Sequence, residues 1–107
     1  MVKFATEREN EILREVVKIL KTELKPSRII LFGSRAKGKS RKSSDFDLAV
    51  DRKRPSFNLE RKIEERIEAM SGLYGVDVVY LNSVDKDFRE IVLETGKVVY
   101  EKRNRKR

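Results

Sequence analysis

Apolar residues recur in steps of three and four from Ile12 through Leu13, Val16, Val17 and Leu20 to Leu24, the period of an amphipathic helix. Thr6 and Glu9 stand at capping-box spacing just ahead of that stripe, and Pro26 blocks its continuation. The pattern therefore predicts a helix from about Thr6 to Leu24. "SRIILF" follows as a nearly continuous apolar run, the signature of a buried strand. "DFDLAV" alternates instead: Phe46, Leu48 and Val50 share one face, and Asp45, Asp47 and Ala49 share the other. A second helix is predicted after Pro55, with Leu59, Ile63, Ile67 and Met70 on one face and its end near Gly72. "GVDVVYL" reads as a third strand. Ser83 is placed to cap a short helix carrying Val84, Phe88, Ile91 and Val92 and ending at Gly96, and "KVVYE" reads as a last strand.

The order α-β-β-α-β-α-β suits an α+β (α/β) domain, a mixed four-stranded sheet with helices packed on it. At 107 residues there is room for one modest core and no second lobe. Residues 1–101 are expected to form that domain, and 102–107, "KRNRKR", a basic, disordered tail. No stretch has the length of a membrane span, and the start lacks the apolar core of a signal peptide. The absence of cysteine fits a reducing cytoplasm, and a charged fraction of 41% fits a thermophilic source. Without a single histidine, any catalysis has to rest on carboxylates, hydroxyls and cations.

The net charge of +8 is concentrated in two places, the tail and the run from Arg35 to Lys42, which holds Arg35, Lys37, Lys39, Arg41 and Lys42 with no acid. A basic loop at that point would attract a triphosphate. The segment "GSRAKGKS" admits two phosphate-binding readings. As Gly-x-x-x-x-Gly-Lys-Ser, with Gly33, Gly38, Lys39 and Ser40, it matches a P-loop. A P-loop, however, feeds directly into a helix before the chain returns as a parallel strand, and only "RKSS" separates Ser40 from the strand at Asp45. The crossover helix has nowhere to go.

The second reading takes Gly33 and Ser34 as a phosphate-approaching turn, since only glycine lets backbone come so close. Asp45 and Asp47 follow at i and i+2 on one strand, so both carboxylates leave the same face, as a magnesium ion shared with phosphate oxygens requires. Asp77, flanked by Val76, Val78 and Val79, looks like a carboxylate in an apolar strand, costly unless paired or metal-bound. It would complete the cluster if its strand lies beside the "DFDLAV" strand. Two ions about 4 Å apart could then clamp the attacking oxygen and the transferred phosphate. Asp51 shares the parity of Asp45 and Asp47 and reads as a strand-end residue. Singly, a Gly-Ser turn or an Asp-x-Asp strand is ordinary; the conjunction is what favours catalysis.

Gly-Ser, ten residues, then Asp-x-Asp, here "GSRAKGKSRKSSDFD", resembles the signature of the DNA polymerase β-like nucleotidyltransferase superfamily. The short chain and its Gly-Ser-Arg-Ala context look most like the minimal nucleotidyltransferases, the MntA-type antitoxins of HEPN-domain toxins. That resemblance implies that Gly33 and Ser34 bind the triphosphate, with Arg35 as a further phosphate contact. It implies that Asp45, Asp47 and Asp77 ligate Mg2+, Asp77 also helping to deprotonate the acceptor. The implied reaction moves AMP from ATP to a hydroxyl, for this subgroup a tyrosine of the HEPN partner. Competing readings are a binding module that neutralises its partner by contact alone, an enzyme acting on a small molecule, and a nucleic-acid-binding domain. The last is disfavoured because aromatic residues are few and the strands show no stacking motif. No membrane partner is expected.

Overall fold

A computed structural model describes residues 6–37 and 45–103 of the chain. The predicted order of elements is present, with one added turn of 3-10 helix. Helix α1 spans Glu7–Leu24. Its capping box is complete: the Thr6 hydroxyl accepts from the Glu9 amide at 3.1 Å, and the Glu9 carboxylate accepts from the Thr6 amide at 3.0 Å. Lys25 ends the helix in the left-handed conformation, φ 50°, just ahead of Pro26.

Four strands form one sheet: β1 Arg28–Phe32, β2 Phe46–Val50, β3 Val76–Tyr80 and β4 Lys97–Glu101, in the order β3-β2-β1-β4. β1 pairs antiparallel with β2 and with β4, whereas β2 and β3 run parallel. A parallel pair needs a crossover, and α2, Phe57–Ser71, supplies it. The antiparallel return of β2 excludes the P-loop reading, which requires a helical crossover between β1 and a parallel neighbour. Gly38, Lys39 and Ser40 themselves lie outside the described residues.

The two faces of the sheet bury different helices. Ile29, Leu31, Phe46, Leu48, Val50 and Tyr80 pack on the apolar stripes of α1 and α2. On the other face Ile30, Ala49, Leu81 and Val92 gather under α3, Lys86–Thr95. The alternation read in "DFDLAV" is thus a division between a helix-covered face and a face that α3 covers at one end only.

One local expectation needs correction. The cap of α3 is Asp85, whose carboxylate accepts from the Phe88 amide at 2.9 Å, while Leu81–Ser83 form the 3-10 turn. Ser83 instead accepts from the Arg54 amide at 2.8 Å, tying the connection after β2 to the end of β3. Asp51 is a strand-end residue as expected: it accepts from the amides of Ser27 and Arg28 at 2.9 and 3.0 Å, opening β1. Lys102 still donates to the Ser27 carbonyl at 2.8 Å, and 104–107 lie outside the described residues.

Candidate active site

Cross-strand register assembles the site. Phe32 lies opposite Asp47 on the antiparallel side, and Asp47 lies opposite Asp77 on the parallel side. The end of β1, the middle carboxylate and the third carboxylate therefore form one row across three strands. Asp45 sits one turn of the pleat earlier than Asp47, on the same face. Beside this row the chain leaves β1 at Gly33, with φ at +77°, a conformation that favours glycine. A side chain there would also run into the Asp47 carboxylate, whose Cγ lies 3.3 Å from the position a Cβ would take.

A second glycine does the same for Asp45. A Cβ on Gly75 would lie 2.9 Å from the Asp45 Cγ and closer still to one of its oxygens. The Gly75 carbonyl also accepts from the Phe46 amide at 2.9 Å, which fixes the backbone between the two aspartates. Gly75 was missed from the sequence, although a glycine immediately before a strand that carries the third carboxylate was its signal.

Asp77 differs from its expected environment. β3 is an edge strand, and Asp77 is exposed, so burial in an apolar strand is not what sets it apart. The partly desolvated carboxylate is Asp47, on an inner strand. Burial pushes the Asp47 carboxyl up from its ordinary value, the charges of Asp77 and Asp45 push it the same way, and a hydrogen bond with Asp77 adds to the shift. Three carboxylates crowding one face invite a hard cation. Among the described residues no three such groups are placed to hold a metal ion by themselves. A cation here would need further oxygen ligands from water and substrate phosphate.

Arg35 does something other than the expected phosphate contact. Ser34 is exposed, but the next two residues turn inward, with Arg35 and Ala36 each 2% exposed. The Arg35 guanidinium donates to the Glu9 carboxylate at 2.9 Å and lies 4.0 Å over the Phe46 ring and 5.7 Å from the Tyr74 ring. Phe46 and Tyr74 meet edge to face at 5.9 Å. One buried cation thus ties the Gly33–Ser34 turn to the start of α1, to the residue between Asp45 and Asp47, and to the residue before Gly75. The Lys37 amide closes the turn on the carbonyls of Gly33 and Ser34 at 3.3 and 3.2 Å. Lys39, Arg41 and Lys42 of the basic loop lie outside the described residues.

A glycine-serine turn facing an Asp-x-Asp strand, with a third carboxylate on the parallel neighbour, defines a nucleotidyltransferase. The chain belongs to the family described as Polymerase beta, Nucleotidyltransferase, whose model matches residues 14–105. It is 35% identical over 89 residues to a Haemophilus influenzae protein named as the protein adenylyltransferase MntA, covering 81% of this chain and 78% of that one. It is 37% identical over 81 residues to a Methanocaldococcus jannaschii protein named as a protein adenylyltransferase, covering 73% and 80%. Among solved structures it resembles a toxin–antitoxin crystal structure with AMP-PNP, with a TM-score of 0.68, 25% identity and coverage of 82% and 72%. A minimal nucleotidyltransferase shares the fold with a TM-score of 0.64 at 23% identity, covering 88% and 97%.

Two outcomes follow from the site's supports. The Arg35 bond, ahead of the Thr6 bonds, holds the Glu9 carboxyl below its ordinary value of 4.5 despite its burial. A depressed folded value means that the ionised form favours folding. Its contribution is complete above pH 4.5 and disappears as pH falls through the lower folded value. Glu9→Gln should therefore lose roughly 3 kcal/mol near neutrality, at the lower end of the range for breaking a buried pair. Urea unfolding of both proteins from pH 7 downward should show the gap closing in acid; a gap that is constant with pH contradicts this. Gly75→Ala should keep the melting temperature within a few degrees and lower nucleotidyl transfer by about a hundredfold, the scale of a 1 Å misplacement of a reacting group. Transfer at the wild-type rate would show that Asp45 has room to move.

Proposed function

We propose that this protein is the antitoxin of a toxin–antitoxin pair and transfers AMP from ATP to a tyrosine hydroxyl of its partner, a HEPN-domain toxin. One observation carries the reading: the register that sets Asp47 between the Gly33 turn and Asp77. Support for the donor and partner comes from relatives named as protein adenylyltransferases and from the structural neighbour described as a toxin–antitoxin with AMP-PNP. Gly33 and Ser34 would hold the β- and γ-phosphates, Gly33 by close backbone approach and Ser34 by its exposed hydroxyl.

In the reaction the acceptor oxygen attacks the α-phosphorus, the bond to the bridging oxygen of the β-phosphate breaks, and pyrophosphate leaves. The acceptor loses its proton. A tyrosine hydroxyl ionises near pH 10 in water, so it needs help at neutral pH. Asp77, exposed at the sheet edge, stands where an incoming acceptor would meet the row of carboxylates. Asp45, Asp47 and Asp77 would hold Mg2+, as two ions in the reading preferred here. When bound, the metal would neutralise phosphate charge and lower the acceptor's pKa. The supporting fit is chemical: three carboxylates on one face, one of them half-buried and crowded by the other two.

The test is mass spectrometry of the partner after incubation with ATP and Mg2+. Wild-type protein should add one AMP to a tyrosine, and Asp47→Asn should lower the rate at least a thousandfold, on the order of losing one charged group that stabilises a transition state. Its melting temperature should not fall, because the substitution removes carboxylate repulsion. Unimpaired transfer by Asp47→Asn would sink the assignment of the metal site. Silencing of the toxin in cells by that same variant would favour neutralisation by contact alone.

A further inference from the structure

The outer edge of β3 is unpaired among the described residues, because β3 has only β2 beside it. An unpaired edge offers a row of backbone N–H and C=O groups to another extended chain. Along this edge runs a groove of about 750 Å³ between β3 and α2. Its β3 side presents Val76, Val78 and Tyr80, and Asp77 stands in its lining. The loop at the active-site end carries Leu73, whose side chain is wholly in solvent at 103% exposure.

The opposite wall is acidic in a specific way. The buried stripe of α2 has a charged flank on either side. On one flank Lys62 and Arg66 reach Glu23 of α1 at the helix–helix contact. On the other, Glu60, Glu64 and Glu68 line the groove at successive four-residue steps. Arg54 pairs with Glu60, whereas Glu64 and Glu68 form no ion pair among the described residues. The acidic field reaches the groove floor. Burial, followed by the charges of Glu60 and Glu64 and opposed by Arg54, pushes the Tyr80 hydroxyl up to about 12. This local charge opposes that of the whole chain, which carries a net +8.

We infer that the acceptor arrives as an extended, basic segment of the partner protein that adds as a strand to the outer edge of β3. Its Lys or Arg side chains face Glu64 and Glu68, an apolar side chain covers Leu73, and its hydroxyl is delivered to Asp77. This inference rests on the transfer reading above, and supplies the acceptor recognition that the glycine-serine and aspartate motif does not contain. Main-chain pairing would provide register and affinity, and the acidic wall would select the segment's charge.

The experiment uses the full chain and a Glu64→Lys/Glu68→Lys variant, both changes being at exposed positions. The probe is a short peptide with one tyrosine and lysines at alternate positions, compared with the same peptide carrying glutamates. By fluorescence anisotropy the lysine peptide should bind the wild type, the glutamate peptide should not, and the double variant should lose about tenfold or more in affinity. With the cognate partner, the variant should raise the KM for acceptor by a similar factor while kcat at saturation and ATP binding stay unchanged. Equal binding of the two peptides, or an unaltered KM, overturns the docking site even if AMP transfer is established. Selective binding of the lysine peptide without any AMP transfer sustains the groove and sinks the transfer reading instead.

Discussion

Asp47 is pressed between the backbone of a left-handed glycine on one side and a second carboxylate on the other, and the rest of this domain is arranged around that unfavourable contact. Burial and two neighbouring negative charges all work against its ionised form. A sheet built for stability alone would place an apolar side chain there, as it does one pleat later with Ala49. The carboxylate instead stays in an environment that a cation would relieve.

Holding such a site requires rigidity from its surroundings, and Arg35 contributes it at one point. Buried ion pairs are weak arguments for stability, since desolvating both charges offsets much of their attraction. They are better suited to fixing geometry. Here the Arg35–Glu9 bond joins a turn to a helix start 26 residues away in sequence. Its guanidinium also stacks on the ring that separates Asp45 from Asp47. Glu9 serves twice, closing the capping box of α1 and receiving Arg35. Within Gly33–Ala36 the burial is divided: Ser34 faces solvent, while Arg35 and Ala36 anchor the turn from within.

The helices and strands were legible because their periodicities are strong and their ends are punctuated, α1 by Thr6, Glu9 and Pro26 above all. That the Gly33 turn and Asp47 come together was legible because their spacing is local, on two consecutive strands. What could not be read was whatever depends on strand order. Asp77 looked buried among valines because a single sequence does not reveal that its strand lies at an edge. Arg35 looked like one more cation in a basic loop, and only the fold brings Glu9 beneath it. Gly75 and Asp45 are 30 positions apart and meet through a parallel pairing that no local pattern announces. Ser83 and Asp85 are both competent caps, and the choice fell to Asp85 once Ser83 was engaged by Arg54.

The central claim is that the Gly33 turn and the aspartates act together on the α-phosphate of a nucleotide, and two parallel incubations test it most directly. Protein, its co-purifying partner and Mg2+ receive ATP labelled at the α-phosphate in one tube and at the γ-phosphate in the other. The account predicts label on the partner protein from the α-position alone, with pyrophosphate as the released product. Release of free phosphate from the γ-position, with no label on protein, would contradict it and show that the turn serves hydrolysis instead.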